Sequence, residues 1–149
     1  MSTTDTESAG SSHLETLEKF YGAELRYVAA GGAEAQADFS EMAACLHPNV
    51  VARQGPTVPY GGDWRGVDGA KEFFAVFTET WSTLELSDTQ FFEGDTGLAI
   101  TQRMQATARA TGKHLDTLVC HFLIFEDSLI REFNVYYLDP VGVLEATQT

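Results

Sequence analysis

Two residues lead by their chemistry. His121 sits at the centre of a stretch that reads as a core strand, flanked by Val119, Phe122 and Leu123. An imidazole titrates near neutrality, with a reference pKa of about 6.5, so in such a place it can give or take a proton. The same residue also reads as a core histidine satisfied by one hydrogen bond. Arg103 lies in an otherwise uncharged run, Leu98 to Ala108. Strand alternation sets Thr101, Arg103, Gln105 and Thr107 on one face and Ile100, Gln102, Met104 and Ala106 on the other. The polar row is either a solvent face or the wall of a polar pocket. A buried Arg103 needs an anionic partner. That partner is a protein carboxylate such as Asp116 or Glu132, or a substrate carboxylate, phenolate or enolate. Beside a developing oxyanion, a guanidinium is an electrostatic catalyst.

Tyr21, Tyr60, Trp64, Trp81 and Tyr137 either fill the core or wall a pocket for a flat, apolar substrate, with phenol and indole groups as handles. Tyr60 and Trp64 belong to "GPTVPYGGDWRG", a Gly-rich loop able to close a cavity mouth. His13, His47 and His114 read as surface or loop residues. No His/Cys/Asp/Glu spacing meets a metal-site template, so neither metal nor cofactor is expected. "GGDWRG" lacks the Gly-Lys-Ser/Thr ending of a phosphate loop, and no serine nucleophile elbow is present.

These residues need elements to position them. Leu14, Leu17, Tyr21, Leu25 and Val28, widened by Phe20 and Tyr27, predict an amphipathic helix from about Ser12 to Ala30. Ser11 and Ser12 are its candidate caps, and Gly31 and Gly32 its end. Asp38 with Glu41 starts a short helix that stops before Pro48. Asn49 to Gln54 predicts a strand and Gly55 to Gly66 a loop. Asp68 is positioned to cap a third helix whose apolar face holds Ala70, Phe73, Phe74, Phe77 and Trp81. Strands follow over Leu84 to Phe92, Leu98 to Ala110, His114 to Phe125 and Leu129 to Tyr137. The turns "EGDTG", "TGK" and "EDS" between them imply antiparallel hairpins. Val141 to Ala146 forms a closing helical turn. Helices followed by a strand meander make an α+β layout. A curved, mostly antiparallel sheet wrapped around the long N-terminal helix leaves a cone with a central pocket.

The chain has 149 residues, 22 acidic against 9 Lys plus Arg, and a formal charge of −13. That length predicts one domain over 13–146, with a Ser/Thr-rich disordered tail over 1–12. The charge repels polyanions, which excludes nucleic acid and disfavours anionic membranes. Cys45 and Cys120 make no disulfide framework. No stretch is apolar enough to span a membrane, and the N-terminus lacks a signal-peptide pattern, so a cytoplasmic protein is expected.

The order and spacing of these elements resemble the nuclear transport factor 2-like superfamily, in its SnoaL-like, ketosteroid isomerase-like branch. The resemblance covers about residues 14–140. "LHPNVVARQGPTVPYGGDWRGVDGAKEFF" and "HFLIFEDSLIREFNVYYLDP" carry it. It implies a cystatin-like cone-shaped α+β barrel. It places His121 at a functional position of the penultimate strand and Tyr21, or less well Tyr27, at the tyrosine of the first helix. It also turns Arg103 and Gln105 inward. Relatives carry acids where this chain has Gln54, Gln105 and Val135.

The expectation is a cofactor-independent enzyme, a cyclase, isomerase or epoxide-opening hydrolase. Its substrate would be an apolar, oxygenated compound such as a polyketide or terpenoid intermediate. His121 would transfer the proton and Arg103 would hold the oxyanion. Tyr21, Gln54, Tyr60, Trp64, Trp81, Gln105, Asp116 and Tyr137 would bind the substrate. The alternative is a non-catalytic ligand-binding or dimerisation module. A homodimer is expected in either case, through an outer sheet face carrying Ile100, Met104, Cys120 or Phe122.

Overall fold

The computed structural model describes residues 2–149, with side chains from His13 onward. The chain folds as α1 (Ser2–Ala29), α2 (Ser40–Ala43), β1 (Leu46–Gln54), β2 (Gly62–Arg65), α3 (Gly66–Thr80), β3 (Trp81–Glu93), β4 (Gly97–Ala108), β5 (His114–Glu126), β6 (Leu129–Tyr137) and α4 (Pro140–Thr147). The six strands form one sheet in the order β2-β1-β6-β5-β4-β3. Only β1 and β6 pair in parallel; the other pairings are antiparallel. This is the expected α+β cone, a curved and unclosed sheet packed against helices. Among the described residues no helix is long and apolar enough to cross a membrane.

Local chemistry explains the turns. Asp127 and Ser128 both adopt positive φ, 54° and 62°, the twist a two-residue hairpin between β5 and β6 requires. Gly31 and Gly32 also have positive φ and close the end of α1 through bonds to Val28 and Tyr27 carbonyls. A register shift between Ser87 and Gln90 in β3, with Asp88 at φ 54°, marks a bulge that bends the strand.

Several expected boundaries move. The α1 backbone is helical from Ser2, not from about Ser12, because extending a formed helix costs far less than starting one. The caps at Ser11 and Ser12 concern side chains outside the described ones, while the backbone of the expected disordered tail is helical from Ser2. The Gly-rich loop contains a strand: β2 pairs with β1 from Val51↔Arg65 to Gln54↔Gly62. Arg65, not Asp68, is the extended residue before α3, which places Asp68 inside the first turn. Trp81 opens β3 and does not extend the α3 face. The closing turn is a full helix, α4, capped by Asp139, whose Oδ1 accepts from the Gly142 N–H at 2.9 Å.

The core lies between the concave sheet face and the helices. Leu17, Phe20, Ala23 and Tyr27 of α1 and Phe73, Phe74 and Phe77 of α3 pack against Ile100, Met104, Leu123 and Phe133. Ile100 and Met104 are therefore inside, where the dimer expectation had them outside. Of the residues named for that face, Phe122 is exposed and Cys120 partly so.

Candidate functional site

A row of side chains runs across the concave face, fixed by strand register. Gln54 of β1 pairs with Val135 of β6, Val135 with His121 of β5, and His121 with Ile100 of β4. Gln54 and His121 are thus two strand spacings apart, about 10 Å between backbones. Tyr137, two residues beyond Val135, points to the same side. Opposite this row stands α1. Tyr21 and Glu24 are three residues apart on it and share one face. Glu24, Gln54, His121, Val135 and Tyr137 line one cavity, with Phe73, Phe74, Phe77, Leu84, Leu86, Met104 and Phe133 as its apolar walls. Its volume is about 20 Å³, room for about one water.

A polar relay enters this cavity. Thr89 Oγ1 donates to Gln102 Oε1 at 3.3 Å, and Gln102 Nε2 donates to the Tyr21 hydroxyl at 3.1 Å. The Tyr21 hydroxyl and His121 Nδ1 are 2.5 Å apart. The Tyr21 oxygen accepts from Gln102, so its own proton points to His121 Nδ1. That leaves the ring proton on Nε2. Burial lowers the His121 pKa to about 4, so the imidazole is neutral at pH 7. Burial, reinforced by the nearby Glu24, raises Tyr21 well above the usual phenol value and keeps its proton on. His121 is therefore a weak base and a hydrogen-bond donor through Nε2.

Glu24 is the strongest base candidate, and sequence reasoning missed it. It is 6% exposed and has no ion-pair or hydrogen-bond partner among the described residues. Burial pushes its pKa up to about 7. A carboxylate titrating near neutrality is matched to proton transfer from carbon. The signal was its spacing: Leu17, Phe20, Glu24 and Tyr27 recur at three and four residues. The predicted stripe ran instead through Leu25, which is 49% exposed.

A second relay lies at the other end. Trp81 Nε1 donates to the Tyr60 hydroxyl at 3.1 Å, and the Tyr60 and Tyr137 hydroxyls are 2.8 Å apart. Gln54 lies beside the Tyr137 hydroxyl and lowers its pKa. Tyr60 and Trp81 are fully buried and stand behind Tyr137 without lining the cavity. Burial raises Tyr60 to about 12. Trp64 donates to the Tyr60 carbonyl at 3.1 Å and packs at a tilt against Phe73, so it braces the β2 loop.

Of the predicted site, the fold brings together His121, Gln54 and Tyr137 at the cavity and Tyr21 against His121. It does not bring in Arg103, Gln105 or Asp116. Arg103 lies on the convex face, its Nε and guanidinium nitrogen bound to the two Asp116 carboxylate oxygens at 2.9 and 2.6 Å. Both side chains are about half exposed. The inward buried set on β4 is Leu98, Ile100, Gln102, Met104 and Ala106. Strand alternation then forces Arg103 and Gln105 outward. The expected convergence of Arg103 with His121 is thereby corrected.

Two other places bring polar groups or open space together. His47, Glu126 and Asp127 bring ligand-type atoms within 4.8 Å. His47 Nδ1 accepts from the Asn49 N–H, so its proton sits on Nε2, which faces Glu126 at 2.6 Å. That ring acts as a donor to a carboxylate, and a metal would have to displace its proton. A groove of about 510 Å³ between Pro59, Val76, Ala108 and Leu144 is larger than the central cavity. Its one cation, Arg109, is already bound to the Thr78 and Glu79 carbonyls.

The sequence profile of the SnoaL-like domain family matches residues 25–133. No curated protein matches the chain. Among solved structures, the fold is similar to a nuclear transport factor 2-like protein of unknown function from Burkholderia pseudomallei K96243. That pair shares 18% identity and a TM-score of 0.79, over 93% of this chain and 98% of the other. A putative SnoaL-like polyketide cyclase from Jannaschia sp. CCS1 aligns at 15% identity and TM-score 0.72, over 93% of each chain. TerC, co-crystallised with polyporic acid, aligns at 17% identity and TM-score 0.72, over 93% of this chain and 99% of the other. The profile spans most of the chain and the fold agrees with it, so this protein belongs to the SnoaL-like domain family.

Proposed function

We propose that the chain is a cofactor-independent enzyme that moves a proton at the carbon beside a carbonyl of an apolar, oxygenated small molecule. That step is common to isomerisation and to aldol-type ring closure. The observation that carries this reading is Glu24, a buried and unpartnered carboxylate whose pKa burial pushes up to about 7 and which shares a cavity with His121, itself bonded to Tyr21. The Glu24 carboxylate takes the proton, and the C–H electron pair becomes the enolate. His121 Nε2–H, held in that tautomer by Tyr21, donates to the developing oxyanion. Protonated Glu24 then returns the proton to the same or a neighbouring carbon. The roles expected of His121 and Arg103 pass to Glu24 and His121. The polyketide cyclase and the polyporic acid complex among the neighbours are in keeping with an oxygenated cyclic substrate.

The test is hydrogen–deuterium exchange at C2 of 6-hydroxy-1-tetralone in D2O, followed by NMR. Exchange above the buffer rate is expected, rising with pH through about 7 as Glu24 loses its proton. Glu24→Gln lowers the rate by about 100-fold or more. Exchange at the buffer rate, or a fully active Glu24→Gln, overturns this reading.

One observation favours a second reading. Gln54 and Val135 stand where the resemblance implies acids in relatives, so two carboxylates expected of a catalytic row are missing. A binding module of the same fold would hold the ketone without exchange, and the same experiment separates the two.

A further inference from the structure

Gln54 is the buried polar residue at the far end of the catalytic row, 7% exposed. Its two amide atoms are unequal. The amide lies beside the Tyr137 hydroxyl, whose pKa it lowers. The Oε1 atom is buried without any hydrogen-bond partner. A buried acceptor left unpaired is costly, and such groups in native proteins call for an explanation. Of the other lining residues, Val135, Phe73 and Phe77 offer no donor, and Glu24 makes no hydrogen bond to Gln54. The Tyr137 hydroxyl is bonded to the Tyr60 hydroxyl, which accepts from Trp81.

We propose that Gln54 Oε1 is a specificity element that accepts a hydrogen bond from a hydroxyl group on the ligand. The ligand's carbonyl is at the opposite end, against His121 Nε2. This rests on the enolisation reading above and names its substrate class: a hydroxylated cyclic ketone or its enol, with the two oxygens at opposite ends of an apolar ring system. The row geometry supports it. Gln54 and His121 flank Val135 on adjacent strands, and the Val135 side chain offers the apolar floor on which a ring can lie once the walls of the one-water cavity part to admit it. A site built to hydrogen-bond a hydroxyl rejects the analogue that lacks it, because the protein group is then stranded. The amide also explains itself chemically here. A carboxylate at this position would compete with Glu24 as a base, whereas an amide only reads the ligand.

The experiment measures binding of 6-hydroxy-1-tetralone and its methyl ether, 6-methoxy-1-tetralone, by calorimetry on the full chain at about pH 6. The pair differs in one donor. The hydroxy ketone is expected to bind about 10- to 100-fold more tightly to the native protein. Gln54→Met should erase that ratio and leave the melting temperature of the free protein unchanged or raised, since it removes the stranded oxygen. Gln54→Asn keeps the amide but withdraws it by one methylene. It should also lose the ratio, and it serves if Gln54→Met fails to fold. Equal binding, a preference for the ether, binding of neither ketone, or a ratio that survives both variants overturns the assignment. The outcome is separable from the catalytic reading. Discrimination without exchange retains Gln54 and discards Glu24 catalysis. Exchange of both ketones at equal affinity does the reverse.

Discussion

Glu24 has a cost that can be measured without a substrate. Its carboxyl has an ordinary pKa of 4.5 and is raised to about 7 by burial, so the folded chain holds that proton more tightly than the unfolded one. The stability present below about pH 4.5 is therefore lost as pH rises through 7, by about 3 kcal/mol at full ionisation. His121 works the other way. Its pKa falls from 6.5 to about 4, so the folded state sheds that proton first and gains stability as pH rises from 4 to 6.5. The two slopes oppose each other up to about pH 6.5, and above it Glu24 alone still titrates. Urea denaturation of the native protein and Glu24→Gln across this range should show the variant more stable above pH 7 by about 3 kcal/mol. The gap should close toward pH 4.5. Equal curves would mean that Glu24 ionises in water and is no base of this site.

The strand β4 tests what an element decides for its residues. Period-two alternation places Gln102 and Met104 inside, which fixes Arg103 and Gln105 outside whatever relatives do with those positions. Arg103→Ala should therefore leave the exchange rate unchanged. It should leave the melting temperature nearly unchanged, because an exposed ion pair with Asp116 contributes little. A drop in exchange of about 10-fold or more would show that the convex face takes part in catalysis. Four strands, their hairpin turns and the α3 aromatic face were legible because their side-chain periods are strong. The α1 stripe was legible in outline but rotated, since Leu25 outweighed Glu24 on hydrophobicity alone. An acid on an apolar face at seven residues from Leu17 was the readable sign of a functional group. The β2 strand was hidden because "GGDWRG" has turn composition and pairs only through its backbone with β1. The row of Gln54, Val135 and His121 depends on a parallel pairing between the first and last strands. No local pattern encodes such a pairing.

At the scale of the whole molecule, the convex face remains to be covered. Leu118, Phe122, Tyr136 and Leu138 are between 44% and 74% exposed. Register makes them one patch: Cys120 pairs with Tyr136 and Phe122 with Asn134, while the Leu138 N–H reaches the Leu118 carbonyl. Contiguous apolar surface of this kind seeks a partner. We propose a second copy of the chain, related by a two-fold axis that sets the patch against itself. Charge decides how such a dimer responds to salt. Each chain carries −13, so association brings like charges together, and screening should favour it. Light scattering should give twice the 16.3 kDa chain mass, with dissociation on dilution more pronounced at low ionic strength. Tyr136→Asp combined with Leu118→Asp should yield the single-chain mass with an unchanged circular dichroism spectrum, because both side chains point away from the core. A single-chain mass for the native protein at all salt concentrations removes the dimer. A dimer that survives both aspartates moves the contact to another face, and the patch then needs a different occupant.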